Sequence, residues 1–295
     1  MHIKNVSGES IWSGDSSLKE ANLAGLDLNG AQLAGADLCG TDLSEANLRN
    51  ADLNKALLKK ANLDLTDLSQ ANLSGADLSD TRLDWTILEK ADLSDAVISG
   101  SPTAINLSFA LLRRIKSDLL IASGTFDHAI FDGCDLYQAR FYDSSFLEAS
   151  FENAVLKGVS FSNSVLSAAR FCRAYMGPNN LGGPSKFEKV DLSNANLQNA
   201  YLAFAKFTEV KLSQARLNGA NLRAAELSDS NLKGAVLQGA DLRDANLSGA
   251  DLSETDLHNA SLEGCQYSEK TIFPLKFKAE NHGMILRSKI KERRK

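Results

Sequence analysis

From Leu18 onward the chain repeats a pattern of five positions: small, polar, large apolar, polar, polar. Every fifth residue from Leu18 to the closing Ile98 is Leu, giving 17 consecutive centres, and two places earlier 11 carry Ala and four carry Thr. A second run from Phe187 to Tyr267 has 17 centres, 14 of them Leu, again with 11 Ala two places before. Between them a block stepping from Ile121 to Leu181 is richer in Phe, with Phe126, Phe131, Phe141, Phe146, Phe151, Phe161 and Phe171. Calling the large residue i, the pattern reads inward at i−2 and i and outward at i−1.

Period five suits neither ordinary element. On an α-helix five residues advance about 500°, so the Leu positions wander over every face. On a straight strand an odd step sends successive Leu to opposite faces. A constantly inward Leu therefore needs a bend in every repeat, and i+1 and i+2 are left to make it. The outward i−1 residue is largely Asp or Asn, as in Asp37, Asp42, Asn47, Asp52, Asn62, Asp67, Asn72 and Asp77. Short side chains of this kind bond nearby backbone and favour turns. The chain thus coils around a Leu-filled axis, with neighbouring coils paired about 4.8 Å apart.

The pentapeptides "ADLSE", "ANLSG" and "ADLRD" resemble the pentapeptide-repeat family, consensus A-(D/N)-L-x-x, over about residues 16–267 in about 49 near-tandem copies. The resemblance implies an all-β fold: a right-handed quadrilateral parallel β-helix, or solenoid, with four repeats per coil, about 12 coils and short terminal caps. At the usual strand spacing that is a rod of about 58 Å. The segment "TIFP", residues 271–274, resembles the tail of many members, especially cyanobacterial ones, although Lys276 replaces the Gly usual there.

Two frame slips interrupt the repeat. The first spans "SPTAINLSFALLRRIKSD", where Leu107 and Leu112 suggest two repeats between irregular pieces. The second spans "GPNNLGGPS" and is consistent with one residue inserted near Pro184. All four prolines, Pro102, Pro178, Pro184 and Pro274, fall outside the regular runs, where no ladder N–H is required. The slips read as bulges in one continuous rod; a hinge near 101–118 between two shorter rods is the alternative. The organisation expected is an N-terminal cap over 1–15 using Ile11 and Trp12, repeats over 16–267 broken near 99–118 and 177–186, and a C-terminal cap and basic tail over 268–295. Caps are needed because open ladder ends invite aggregation.

Composition narrows the function. A net charge of −5 argues against general nucleic-acid affinity. The opening "MHIKNVSGESIWSGD" has no basic-then-apolar leader, and no apolar run reaches a membrane span, so a cytoplasmic setting is expected. Cys39, Cys134, Cys172 and Cys265 lack metal-site spacing; Cys134 and Cys265 fall at inward i−2 positions, Cys39 and Cys172 at corners. No GxSxG, phosphate-loop, GxGxxG or HExxH motif is present, and His2, His128, His258 and His282 are scattered. A core filled by side chains leaves no substrate cavity. The chain is expected to be no enzyme and to use no cofactor or metal.

What remains is a protein-interaction scaffold, with a protein partner of unstated identity or a second copy in a homodimer. Outward positions that break the Asp/Asn/Ser rule are the candidates: Tyr137 and Tyr142 at i+1, Tyr175 and Tyr201 at i−1, and Phe204 at i+2. Counting four repeats per coil puts Tyr142, Tyr201 and Phe204 on one wall and Tyr137 and Tyr175 on the wall before it. Trp85 and Ile87 form a second candidate. The family resemblance also implies an alternative, a DNA mimic that binds DNA gyrase or a topoisomerase, but Asp here is interleaved with Asn and, late in the chain, with Lys186, Lys206, Lys211 and Arg216. The terminal "LRSKIKERRK" would serve as a hook for anionic partners or simply as a solvated tail.

Overall fold

The computed structural model describes residues 2–13, 17–117 and 119–287. It divides into two compact units, Met1–Ala149 and Ser150–Lys295. Each is a parallel β-solenoid in which an outward i−1 residue faces the one 20 residues later, as in Asn22, Asp42, Asn62 and Arg82. Twenty residues are four repeats, so each coil has four sides. In the first unit one column runs Gln32, Asp52, Asn72, Asp92, Leu111, Ile130; in the second another runs Val155, Tyr175, Tyr201, Asn221, Asp241, Ser261.

The repeat is explained by following its five amides. The i−1 N–H donates back one coil, Asp42 to Ala21 at 2.9 Å. The i and i+2 N–H donate forward, Leu23 to Asp42 and Gly25 to Ser44, each at 2.8 Å. The i−2 N–H closes the corner turn, as Ala31 does onto Leu28 at 3.0 Å. Only the i+1 N–H has no backbone acceptor, and the i−1 carboxylate or amide takes it: Ser44 N donates to Asp42 Oδ1 at 3.1 Å, Ala24 N to Asn22 Oδ1 at 3.0 Å. Asp and Asn therefore recur because their side chains satisfy the fifth donor, which would otherwise be orphaned.

The corners are turns with positive φ at i+2 and not at i+1, the type II arrangement. Glu45, Lys55 and Lys90 adopt φ of 60°, 55° and 59° there. Non-glycine residues seldom hold this conformation, but a ladder bond on each turn over-determines it.

The centres fill the interior. All from Leu18 to Ile98 are buried, as are the seven Phe of the middle block. Phenylalanines one coil apart stack, Phe126 on Phe146 at 4.5 Å and Phe151 on Phe171 at 4.8 Å between centroids. The Thr residues at i−2 solve their polarity internally: Thr41, Thr66, Thr81 and Thr86 are buried, and each hydroxyl donates to the carbonyl of a Leu centre 23 residues earlier. Leu257, expected to be buried, is only half-buried because no further coil covers its side.

The first slip is a shortening. Asn106 follows Ile87 by 19 residues and Thr125 follows Asn106 by 19, so two successive coils each drop one residue while parallel bridges continue at Ile105, Asn106, Leu111 and Lys116. The drop shifts the frame at Ile121, which is an outward i−1 residue facing Arg140 and not a centre. Leu120 takes the i−2 place and Ala122 the centre, reversing the usual small and large order. The cavity beside them, about 20 Å³, is lined by Ile98, Pro102, Leu120 and Ala122 among others.

The second slip is an insertion larger than one residue. Tyr175 pairs directly with Tyr201, 26 residues on. Leu181, expected to be a repeat centre, is 89% exposed. Residues 177–184 form an outward loop tied by Asn179, whose Oδ1 accepts from Leu181 N at 3.0 Å and Gly183 N at 2.8 Å.

At the N-terminus β1 (His2–Lys4) and β2 (Ser10–Ser13) form an antiparallel hairpin. Its Ile3 is buried, and Lys4 O accepts from Gln32 N of the first coils at 2.7 Å. Ile11 and Trp12 are half-buried. Most of the basic tail, residues 288–295, lies outside the described residues.

Candidate functional site

Because the inserted loop adds six residues to a coil of 20, the residue stacked on Tyr175 is Tyr201. The two side chains project outward at i−1 of one column, and their rings lie parallel, 4.6 Å apart with 6° between planes. The placement on adjoining walls expected from the repeat count is thus overturned: that count treated Leu181 as a centre, and the loop contributes no side to the coil.

Neighbours fix the pair. The Lys157 ammonium sits 5.5 Å from the Tyr175 ring centroid, within cation–π range. Gly177, where the loop departs, lies so near that an added Cβ would stand 2.7 Å from Tyr201 Cε1 and 3.0 Å from Tyr175 Cε1. Only a glycine lets the backbone cross these rings. Phe204 occupies the corner after Tyr201 with φ of 63° and is 51% exposed. Tyr175, Tyr201, Phe204 and the exposed Leu181 all belong to the second unit. Tyr137 and Tyr142 belong to the first, on successive sides of a coil, following Asp135 and Arg140; both are half-buried.

The second candidate is larger than the sequence implied. Trp85 is 64% exposed, and Leu65, one coil earlier on the same corner, is exposed as well. Ile87 stands outward on the adjoining side. The next corner carries a ladder: the Lys90 ammonium over Phe109 at 5.7 Å, Phe109 stacked on His128 at 4.6 Å, and His128 Nδ1 3.5 Å from a Glu148 carboxylate oxygen. Corner residues 20 or 19 apart become neighbours; the shortened coils hid this from a strict count of 20.

The ionisable groups are engaged in the ladder. Asp42 and Asp77 are held below the usual carboxylate range, chiefly by hydroxyl donors from Ser44 and Ser79 and also by the i+1 amides. Burial pushes the Cys265 thiol up to about 12 and raises that of Cys134 strongly; desolvation also raises Cys39 and Cys172. None is an activated thiolate. Among the described residues no group of three or more His, Cys, Asp or Glu is placed to hold a metal ion, and no helix is long and apolar enough to cross a membrane. No bridge among them faces one carboxylate with another: Asn47 donates to Asp27 at 2.8 Å and Asn62 to Asp42 at 3.0 Å. Interleaved Asn converts repulsion between stacked acids into hydrogen bonds.

The family model for pentapeptide repeats matches eight copies, over residues 16–54, 51–89, 76–101, 125–158, 185–223 and 225–264, more than half of the chain. No curated protein matches. Among solved structures, full-length QnrB1, a plasmid-mediated fluoroquinolone resistance protein, is 20% identical, covering 67% of this chain and 96% of its own with a TM-score of 0.49. HetL, a pentapeptide repeat protein involved in heterocyst differentiation regulation from the cyanobacterium Nostoc sp. strain PCC 7120, is 27% identical over 88% of this chain and 92% of its own, with a TM-score of 0.35. Rfr23 from the cyanobacterium Cyanothece 51142 is 27% identical over 39% of this chain and 90% of its own, at a TM-score of 0.31.

Proposed function

The chain belongs to the pentapeptide-repeat family, and from that premise we propose that it is a non-enzymatic, cytoplasmic protein-interaction scaffold whose binding surface centres on Tyr175, Tyr201 and Phe204. The observation that supports this is the stacked tyrosine pair. At i−1 an Asp or Asn holds the i+1 amide, and a Tyr forgoes that bond. Two tyrosines in successive coils, with an exposed Phe at the corner that follows and an exposed Leu within the inserted loop, gather apolar surface outside the coil, where it fills no part of the core. Rigid aromatic groups of this kind anchor protein interfaces at low entropic cost. Tyr137 and Tyr142 are auxiliary contacts in the same proposal.

Affinity capture from the source organism tests it with three baits: the native chain, the Tyr201→Ser/Phe204→Ser variant, and Asn221→Ser, which alters the same column one coil further on. The expected result is a protein retained by the native chain and the Asn221→Ser control and lost from the aromatic variant. If the two variants retain the same proteins, the surface is not the binding site. Purified DNA gyrase is included; its retention by the aromatic variant would favour the DNA-mimic reading instead.

A further inference from the structure

The last coil of the second unit is covered on two sides and open on two. Leu252 N donates to Ile272 O at 2.7 Å, and Gln266–Tyr267 pairs with Ile285–Leu286. Among the described residues no backbone pairs with the side at Leu257, and the side at Leu262 is met only at its end, where Gly264 N donates to Gly283 O at 3.0 Å. One coil earlier Ala235 O, Leu237 N, Gly239 N and Ala240 O are all bonded, to Asp256 N, Asp256 O, His258 O and Ser261 N. Their counterparts Thr255 O, Leu257 N, Asn259 N and Ala260 O have no hydrogen-bond partner among the described residues. The chain that could have covered them, 274–282, swings outward through a turn and the 3-10 segment Ala279–His282, and encloses an open groove of about 920 Å³.

The groove has an apolar floor and a cationic rim. Half-buried Leu257 lies at its base, with Pro274, Leu275 and Phe277 from the outer strap, and Leu275 is 92% exposed. Lys276 and Lys278 supply its charge, His258 and His282 also line it, and among the described residues no carboxylate does. His282 is stacked on Phe277 at 4.7 Å, which fixes the strap's inner face.

We propose that this groove binds an acidic peptide in extended conformation, added as a further strand on the Thr255–Ala260 edge. The free amides and carbonyls supply the ladder on which such strand addition rests. A paired strand alternates its side chains, so apolar residues lie over Leu257 and Phe277 while carboxylates reach Lys276, Lys278 and the histidines. Charge decides against two other occupants. A second copy stacked end to end would bring these lysines against their own equivalents. The tail, residues 288–295, carries five Lys or Arg and one Glu and repels the same rim.

The test pans a phage-displayed library of random octapeptides against the full chain, then measures the enriched peptide by fluorescence anisotropy. Enrichment of alternating apolar and acidic residues is expected. Methylating alternate peptide nitrogens, or making Lys276→Glu/Lys278→Glu, should each weaken binding about tenfold or more, with Lys19→Glu as the neutral control. Circular dichroism checks that the variants fold. The proposal is overturned if no peptide is enriched, if the enriched peptides are neutral or basic, or if affinity survives either change. It is also overturned if sedimentation shows end-to-end dimers that the peptide displaces, or if peptides bind only after residues 288–295 are removed.

Discussion

At its two breaks the repeat departs from a 20-residue coil in opposite directions. In the first unit the coils between Ile87 and Thr125 shorten to 19 residues, whereas in the second the coil between Tyr175 and Tyr201 lengthens to 26. The short coils stay within the wall, and the deficit is absorbed by the core, where Leu120 and Ala122 exchange places and a small cavity remains. The long coil keeps its core intact: Phe161 stacks on Phe187 at 5.7 Å across the insertion. A solenoid thus absorbs a missing residue inside and expels extra ones outside. The two breaks should therefore differ sharply in what they cost when altered.

The largest effect is expected at Gly124. Its φ is 145°, and a Cβ there would stand 2.0 Å from Ile105 O, a backbone atom of the adjacent coil. Gly124→Ala should lower stability by roughly 3 kcal/mol or more in a denaturant titration. A loss below about 1 kcal/mol would mean that the short coils are not under this constraint.

Next comes Leu120→Ala, which removes the large side chain from the reversed pair and should cost roughly 2–4 kcal/mol by enlarging the existing void. Combining it with Ala122→Leu restores the small-then-large order of every regular repeat and should recover part of the loss. Failure of the second change to recover anything would show that backbone geometry, not side-chain volume, dictates the reversal.

Acid should weaken the regular coils. Asp42 and Asp77 titrate below the ordinary carboxylate range because they accept Ser hydroxyls and i+1 amides. Their contribution is fully present above the unfolded value, near 3.8, and is lost as pH falls through the lower folded values. The melting temperature should therefore be flat from pH 7 to about 4 and fall below that. Asp77→Asn should shallow the fall while leaving the neutral-pH value nearly unchanged, since Asn also holds the i+1 amide elsewhere in the repeat.

Much of this was legible in the residues. Period five required a corner per repeat, and Asp or Asn at i−1 pointed to a side chain serving its own backbone; both follow from local chemistry that repeats identically. The breaks were legible as places, through Pro102, Pro178 and Pro184, but their sizes were not. Leu181 fell on the five-residue step by coincidence, and only the Asn179 bonds and Gly177 crossing show that its segment is a loop. That single miscount moved Tyr175 and Tyr201 onto different walls. Ile121 failed similarly: one dropped residue turned an apparent centre outward. In a periodic chain a local error propagates to every later face, while the centres of the regular runs stay inward.

The smallest expected effect on stability, and the sharpest test of the comparison, is excision of the long insertion. Removing residues 178–183 leaves Gly177 followed by residue 184, and a coil of 20. Residue 184 then falls at i+2, which needs positive φ and an N–H for the ladder, so Pro184→Gly must accompany the deletion. Ser185, Lys186 and Phe187 already occupy i−2, i−1 and i, and Lys186 N already donates to Val159 O at 2.8 Å. No core contact changes, and closing a shorter connection alters chain entropy little. The melting temperature should stay within a few degrees, a change of about 1 kcal/mol or less. The Tyr175–Tyr201 stack should persist, because Gly177 remains against it. A loss comparable to that of Gly124→Ala would mean that the loop holds the coil together, and that an insertion, like a deletion, is carried by the core.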